Sequence, residues 1–311
     1  MKIIKRFKTL PPQIAGISFA VGATIIWSGN FIIARGVHDA IPPVSLSFFR
    51  WLVAFAVIAP FSIKSFISDF TVIRRSYKYI ILISFLGITL FNTLVYIAGH
   101  STEAINLSLI AITTPVFIII FSWIFFKEKI HFLNFTGIAV TLSGIIILIC
   151  RGSLKVLLSI SFSAGDFWML SAAVTFSMYS LLIRKKPEGI GTMSFLFVTF
   201  GTGLIMLIPF FIYEAAYQNP ASYNINVIIS ILYAGIFASI GGFLLWNKSI
   251  ALIGASKSGI IYYSLPLFST LWAILILGEK VHLVHFISMI LIITGIIIAT
   301  KKTGKFPASK K

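Results

Sequence analysis

Ten long apolar stretches constrain the fold of this chain more than any other feature of its sequence. Each is 17 to 23 residues long, and Arg50 is the only Asp, Glu, Lys or Arg within them. A helix that crosses a lipid bilayer needs about 20 mostly apolar residues, whereas a strand of a membrane barrel alternates over about ten. The pattern therefore predicts ten transmembrane helices, over residues 14–34, 44–63, 79–98, 104–126, 133–150, 167–183, 193–213, 227–246, 258–277 and 284–300.

The composition excludes a water-soluble fold of this size. Hydrophobic residues make up 58% of the 311-residue chain and charged residues 11%, against about 45–50% and about 25% in soluble domains. We therefore expect an all-α membrane protein with the lipid bilayer as its solvent.

The second half of the sequence repeats the first. Residues 112–149 align with residues 263–300 without a gap, and ten positions are identical. The identities include a proline, a Glu-Lys-x-His segment and a glycine: Pro115/Pro266, Glu128/Glu279, Lys129/Lys280, His131/His282 and Gly144/Gly295. Such matches at fixed spacing indicate a duplicated unit. The sequence thus predicts one five-helix repeat over residues 1–151, a second over 152–302 and a basic cytoplasmic tail over 303–311.

An odd number of helices in each copy has a topological consequence. The second copy must enter the membrane in the opposite sense to the first, which makes the two copies inverted repeats. Inverted repeats are a recurrent design of secondary transporters, in which an exchange of conformation between the halves moves access from one side of the membrane to the other. Some channels are also built from inverted halves, so the parity alone leaves both classes open.

The charge distribution predicts the orientation, because Lys and Arg are enriched in cytoplasmic connections. With the first terminus inside, 20 of the 25 Lys and Arg residues lie in inner segments and four in outer ones. Both termini are therefore predicted to be cytoplasmic. The net charge of +17 is explained by this topology and does not require a nucleic-acid partner, which a strongly basic chain would otherwise suggest.

Short motifs in both repeats give the chain a family resemblance. They are the Trp-Ser-Gly-Asn-Phe segment at residues 27–31, the Phe-Arg pair at 49–50 and the Leu-Gly-Glu-Lys corner at 277–280. The first copy of that corner, at 126–129, has Lys in place of Gly. In these features the chain resembles the EamA-type transporters of the drug/metabolite transporter superfamily. The resemblance implies ten helices, both termini in the cytoplasm and transport of amino acids, metabolites or drugs.

Polar side chains inside the apolar stretches are the candidates for a substrate cavity. In hydrocarbon an ionisable or amide side chain must be paired or face water, and a deep tyrosine needs a partner for its hydroxyl. The candidate cavity residues are Trp27, Asn30, Arg50, Asn92, Tyr96, Asn106, Tyr179, Tyr262 and Tyr263.

Other roles are open for some of these residues and their neighbours. Arg50 could reach the interface with its long side chain or pair with Glu103 or Asp39, and the asparagines could bridge helices. Tryptophans favour membrane interfaces, so interface anchoring is the expectation for three of them, Trp51, Trp168 and Trp246.

Two prolines and one acid are candidates for moving parts. Pro115 and Pro266 occupy equivalent positions that the apolar stretches place in mid-helix, where proline kinks the backbone. The kinks could act as hinges or only shape the bundle. Glu103 is a candidate gate residue next to the outer end of a helix.

The sequence argues against an enzyme, a cofactor and a metal site. It contains no Gly-x-x-x-x-Gly-Lys-Ser/Thr, His-Glu-x-x-His or Gly-x-Ser-x-Gly motif, and Cys150 is its single cysteine. All eight acids lie in tails, loops or helix ends, which disfavours a proton antiporter built on a central carboxylate. Facilitated transport or exchange fits better, with proton coupling through Glu103 or His100 as the remaining alternative.

Together these features predict a secondary transporter in the bacterial inner membrane that moves a small organic solute by alternating access. Amino acids or related metabolites are the expected substrates, and the family resemblance favours export. A multidrug or amphipathic-cation carrier and a carrier of nucleotide-like metabolites are the alternatives, ahead of a channel or an intramembrane enzyme. The sequence leaves the oligomeric state open.

Overall fold

The computed structural model describes residues 11–101, 107, 110–128, 132–150, 153, 155, 158, 163–218, 221–277 and 283–300. This part of the chain folds into helices and contains no strand. Five helices are long and apolar enough to cross a membrane: Pro43–Arg75, Tyr77–Ser101, Ala164–Lys185, Thr192–Tyr217 and Ile225–Ile253. Shorter apolar helices cover Thr113–Phe126, Phe132–Ile147 and Phe286–Ala299. The protein is thus an all-α, multi-pass membrane protein.

The helices follow the predicted stretches closely. They are α1 (Pro12–Gly36), α2 (Pro43–Arg75), α3 (Tyr77–Ser101), α4 (Thr113–Phe126), α5 (Phe132–Ile149), α6 (Ala164–Leu182), α7 (Thr192–Tyr217), α8 (Ile225–Ile253), α9 (Ala255–Tyr262), α10 (Leu265–Leu277) and α11 (Leu283–Thr300). Helix α2 extends 12 residues beyond the predicted end of its stretch. The ninth stretch is divided into α9 and α10, and five residues of the fourth, 104–106, 108 and 109, lie outside the described residues.

Helices α2 and α7, which are equivalent in the two repeats, pack against each other along their lengths. Phe48 stacks on Phe211 at 4.2 Å between ring centroids, and seven residues further along α2 Phe55 stacks on Phe197 at 4.9 Å. The residue numbers rise along one helix as they fall along the other. The two equivalent helices are therefore antiparallel.

Helices α5 and α11 show the same relation through their matched glycines. A β-carbon on Gly144 would lie 2.7 Å from the β-carbon of Leu291, and one on Gly295 would lie 2.6 Å from the carbonyl oxygen of Gly137. The amide of Asn134 also donates to the carbonyl of Ala299 at 2.6 Å. Because no side chain fits at either glycine, the two backbones approach closely, as glycine allows in membrane helices.

The other helix contacts also occur in equivalent pairs that are related by an exchange of the two repeats. Helix α4, in the fourth stretch, packs antiparallel to α9, in the equivalent ninth stretch, since Ser122 meets Ser256 and Ile118 meets Gly259. Helix α1 packs on α8 in the way that α6 packs on α3. The contact pattern is therefore nearly unchanged when the two repeats are exchanged.

Two widened turns occur at equivalent places in the repeats. Residues Phe85–Leu90 of α3 and Tyr233–Gly241 of α8 form π-helical segments, in which the backbone bonds reach one residue further than in an α-helix. Such segments are rare overall, but those that occur are often at functional sites. Ser239 lies within the segment of α8, and Asn92 lies two residues after the segment of α3.

The equivalent prolines lie directly after a break in their apolar stretches, in the first turn of the helix that follows the break. Pro115 is the third residue of α4 and Pro266 the second residue of α10. A turn precedes each, at Ile112 and at Tyr263. Proline fits the first turn of a helix because the amide it lacks would have no partner there.

Candidate functional site

Arg50 lies at the centre of a polar cluster inside the bundle. Its side chain has no exposed surface, so the guanidinium does not reach the membrane interface. Its Nε donates to Ser239 Oγ at 2.6 Å, and its Nη1 donates to Asn92 Oδ1 at 2.6 Å and to the Tyr96 hydroxyl at 2.9 Å. A longer bond of 3.3 Å reaches Asn30 Oδ1.

Four helices bring these groups together. Asn30 comes from α1, Arg50 from α2, Asn92 and Tyr96 from α3, and Ser239 from α8. The Tyr96 hydroxyl also donates to Asn30 Oδ1 at 3.1 Å, so the cluster is one connected network. Four candidate cavity residues of the sequence are therefore neighbours, while Ser239 completes the cluster without any sequence signal that separates it from other serines.

The widened turn of α8 forms the wall on which α2 packs. A β-carbon on Gly235 would lie 2.9 Å from the carbonyl oxygen of Arg50 and 2.7 Å from Val53. Ser239 Oγ bonds the carbonyl of Ala234, five residues earlier, at 2.9 Å. The widened turn thus presents a hydroxyl oxygen to Arg50 and leaves room for the α2 backbone.

The cluster contains a positive charge with no negative partner among the described residues. The Arg50 contacts just given are all to neutral groups, and Asp39 lies at the surface next to His38, 3.2 Å away. Asp39 is therefore not the partner of Arg50, and Glu103 lies outside the described residues. Three buried donors nearby have no hydrogen-bond partner: Arg50 Nη2, Asn92 Nδ2 and Trp51 Nε1. The guanidinium also lies over the Trp51 ring at 5.0 Å.

An aromatic cluster adjoins the polar one, with Trp27 at its centre. The indole nitrogen of Trp27 donates to the carbonyl of Ala238, in the widened turn of α8, at 2.9 Å. Its ring lies 5.2 Å from Phe176, 5.3 Å from Trp246 and 6.2 Å from Tyr262. Trp27 and Asn30 are three residues apart on α1, so they lie on one face of it.

Two hydrogen bonds fix the far side of the aromatic cluster. The Tyr179 hydroxyl donates to Asn247 Oδ1 at 3.0 Å, and Trp246 Nε1 donates to Ser180 Oγ at 3.0 Å. Trp246 and Trp51 have no exposed surface, so interface anchoring is wrong for both; Trp168 is 45% exposed, as an anchor would be. The sequence analysis left out these two buried indoles because tryptophan generally prefers membrane interfaces.

The other candidates lie elsewhere. Tyr263 is buried in a separate apolar cluster with Ile112, Ile145 and Ile292, and its hydroxyl has no partner. It therefore does not join Tyr262 in the aromatic cluster. Asn106 and Glu103 lie outside the described residues.

The ends of α4, α6 and α9 are tied by a charged network. Arg184 donates to one oxygen of Glu128, and Ser256 donates to the other at 2.9 Å. The guanidinium of Arg184 also lies over the Phe126 ring at 4.4 Å. The repeat counterpart Glu279 lies outside the described residues.

A cavity of about 330 Å³ opens at the opposite end of the bundle. Its lining includes His38, Asp39, Ile41, His100 and Tyr217. The rings of His38 and His100 lie 6.0 Å apart. Pro42 also lines it, and Arg50 lies eight residues further along α2, roughly 12 Å at 1.5 Å per residue. The described residues contain no group of three His, Cys, Asp or Glu side chains that could hold a metal.

Comparisons with known proteins agree with this architecture. The EamA-like transporter family matches the chain twice, at residues 14–150 and 163–301. An uncharacterised transporter of Clostridium kluyveri is 26% identical over 91% of each chain, and one of Archaeoglobus fulgidus is 23% identical over 89% of this chain and 94% of its own length. The uncharacterised inner membrane transporter YicL of Salmonella typhimurium is 22% identical over 89% of this chain and 92% of its own length. A crystal structure at 17% identity has the same fold, with a TM-score of 0.72 over 92% of this chain and 96% of its own.

Proposed function

The chain belongs to the EamA-like transporter family, and from this premise we propose that it is a secondary transporter that moves a small organic solute by alternating access. The observation that carries the proposal is the antiparallel packing of α2 on α7, α4 on α9 and α5 on α11. Two halves with such a relation can exchange their conformations, and this exchange closes one side of a central site while it opens the other.

The proposed topology has ten spans as two inverted repeats, over residues 1–151 and 152–302, with both termini and the basic tail at 303–311 in the cytoplasm. The asymmetry of Lys and Arg supports this orientation. The proposed location is the bacterial inner membrane, where the name of the Salmonella relative places that protein.

The proposed substrate site combines the Arg50 cluster with the adjoining aromatic cluster around Trp27. Polar groups that converge beside aromatic rings inside an apolar bundle are the usual composition of a small-molecule site. Amino acids or related metabolites suit such a site, and export is the direction that the family resemblance favours. The cavity lined by His38 and His100 is the proposed outer vestibule, and the Glu128–Arg184 pair closes the inner end.

Counterflow in liposomes tests the proposal. Liposomes that contain the purified protein are loaded with an unlabelled solute, and the screen covers amino acids, nucleosides and amphipathic amines. At least one labelled solute should exchange into the liposomes without ATP. The variants Arg50→Ala, Asn30→Ala and Tyr262→Phe should each alter that exchange. Protein that neither moves nor binds any compound of the screen would contradict a transport function.

A further inference from the structure

We propose that Arg50 and Asn92 form the binding site for a carboxylate group of the transported solute, an inference that rests on the proposed function and specifies its substrate class. The buried polar atoms left without partners at this cluster are Arg50 Nη2, Asn92 Nδ2 and Trp51 Nε1. All three are N–H donors. A ligand that satisfies them must bring acceptors, and an ionised carboxylate offers acceptors only.

The charge of the cluster leads to the same ligand. Among the described residues, the buried ionised side chains are Arg50, Asp166 and Glu214. The two acids bind backbone amides at helix starts: Asp166 accepts from Ser163 N, and Glu214 accepts from Val44 N and Ser45 N. They do not compensate Arg50, and a buried charge without a partner is costly. An anionic ligand supplies the missing charge.

The geometry of the guanidinium favours a carboxylate over other anions. Its planar fork matches the two oxygens of a carboxylate. A phosphate dianion would call for further buried cations, and the described part of the bundle holds Arg50 alone. Cationic amphiphiles are repelled by the same charge. The rings of Trp51 and Tyr96 lie 5.0 and 6.0 Å from the guanidinium and can pack against the organic part of the solute.

Matched pairs of acid and amide test the site directly on the wild-type protein. The probes are acetate, butyrate, 3-phenylpropionate and L-phenylalanine, each compared with its own carboxamide, and the readout is the thermal unfolding of the full chain in detergent. At least one acid should raise the unfolding temperature saturably and bind at least about tenfold more tightly than its amide, as expected for hydrogen bonds to charged groups. If no acid stabilises the protein more than its amide does, the inference is overturned.

The variant Asn92→Asp separates a binding role from a structural one. The new carboxylate keeps the acceptor for Arg50 Nη1 and adds an internal counter-charge. It should raise the unfolding temperature of the ligand-free protein and abolish the response to acids. Arg50→Gln should also lose the response, whereas Arg74→Gln, the same change at an exposed position of α2, should keep it. An Asn92→Asp protein that still binds acids like the wild type would contradict the site.

The inference and the proposed function fail in different ways. Counterflow of uncharged or cationic solutes, with no preference for acids over amides, would leave the transporter and remove the carboxylate site. Acid binding that depends on Arg50, without movement of any acid across liposomes, would leave the site and remove the transporter.

Discussion

Lys127 ends α4 in a conformation that suits glycine and not lysine. Its φ is 52°, the only positive φ of a non-glycine residue in the described ranges, and its amide bonds the carbonyl of Trp123 at 3.0 Å. The left-handed conformation costs an L-residue about 1–2 kcal/mol. In the second repeat, Gly278 stands at the matching place in the sequence.

Lys127→Gly should therefore stabilise the protein, by about 0.5 to 1 kcal/mol once the greater chain entropy of glycine is subtracted. The measurement is thermal unfolding in detergent. Lys127→Ala is the control, because it removes the charge but keeps the β-carbon, and it should give no gain. Equal gains from both variants would attribute the effect to the charge and contradict the backbone argument.

Gly87 allows Tyr179 to reach its partner. A β-carbon at Gly87, in the widened turn of α3, would lie 2.5 Å from Cε2 of the Tyr179 ring. Gly87→Ala should push the ring away, break the bond from Tyr179 to Asn247 and destabilise the protein by about 1–3 kcal/mol, as overpacking does. A substrate that contacts the aromatic cluster should also bind more weakly.

Gly36→Ala provides the matched control for this change, since nothing lies within 4 Å of a β-carbon there. Thermal unfolding and substrate titration of both variants check the prediction. An unfolding temperature for Gly87→Ala as high as that of Gly36→Ala would mean that Tyr179 can move without cost.

Single residues show what the sequence could and could not predict about the site. Asn30, Arg50, Asn92 and Tyr96 were identifiable because polar groups in hydrocarbon are expensive and must find one another. Ser239 was not, since a serine can bond its own helix and so occurs anywhere in a membrane helix.

At the level of elements, α2 and α7 are joined by acids at both ends of the pair. Glu214, near the end of α7, accepts hydrogen bonds from Val44 N at 3.0 Å and from Ser45 N at 2.6 Å, at the start of α2. Asp69, near the end of α2, accepts one from Gly191 N at 2.8 Å, at the start of α7. Each acid accepts hydrogen bonds from amides at a helix start, which have no partner within the helix. Its negative charge also lies at the positive end of the helix dipole, which is stabilising.

Glu214→Gln should loosen the start of α2, because the new amide group cannot accept the hydrogen bond from Ser45 N. The expected loss is about 1–3 kcal/mol, the range for a buried group left unsatisfied, with faster hydrogen exchange in a peptide that covers residues 43–47. Asp69→Asn, at a half-exposed site, should have a smaller effect confined to the start of α7.

Ser45→Ala is the control for the helix start. It removes the bond of 2.8 Å from the Ser45 hydroxyl to Glu214 but leaves both backbone bonds in place. Its exchange rates should stay close to those of the wild type. If Ser45→Ala and Glu214→Gln accelerate exchange equally, the hydroxyl and not the helix start is what Glu214 stabilises.

Some features of the helices could be predicted from the sequence and others could not. Hydropathy located the helices to within a few residues for most stretches, because apolar length is what a bilayer selects. The widened turns in α3 and α8 and the division between α9 and α10 leave no hydropathy signal, since the residues on both sides are equally apolar. One of these irregular segments, the widened turn of α8, contacts both Arg50 and Trp27.

For the whole molecule, the contacts between loops define two faces. The Ser222 amide donates to the Ala40 carbonyl at 2.8 Å, which places the loop after α1 and the loop after α7 on one face. The Asp69 bond to Gly191 places the end of α2 and the loop after α6 on the other. The charge pattern predicts that the first face lies outside and the second in the cytoplasm.

Cysteine labelling in intact cells tests this assignment. In a Cys150→Ser background, which removes the single native cysteine, a membrane-impermeant maleimide should label Gln218→Cys and Asp39→Cys from outside. Glu188→Cys should react only after the membrane is permeabilised. All three positions are exposed in the structure, so a difference in labelling reports the side of the membrane and not burial.

The pattern of labelling also separates two possible errors. If Glu188→Cys labels in intact cells and the other two do not, the bundle is inverted as a whole, and the repeats keep their mutual relation. If Gln218→Cys and Glu188→Cys label together, α7 does not cross the membrane, and the two repeats cannot be inverted copies. Alternating access by exchange of conformation between the halves requires the ends of α7 to lie on opposite sides, so this second pattern would remove the physical basis of the proposed transport cycle.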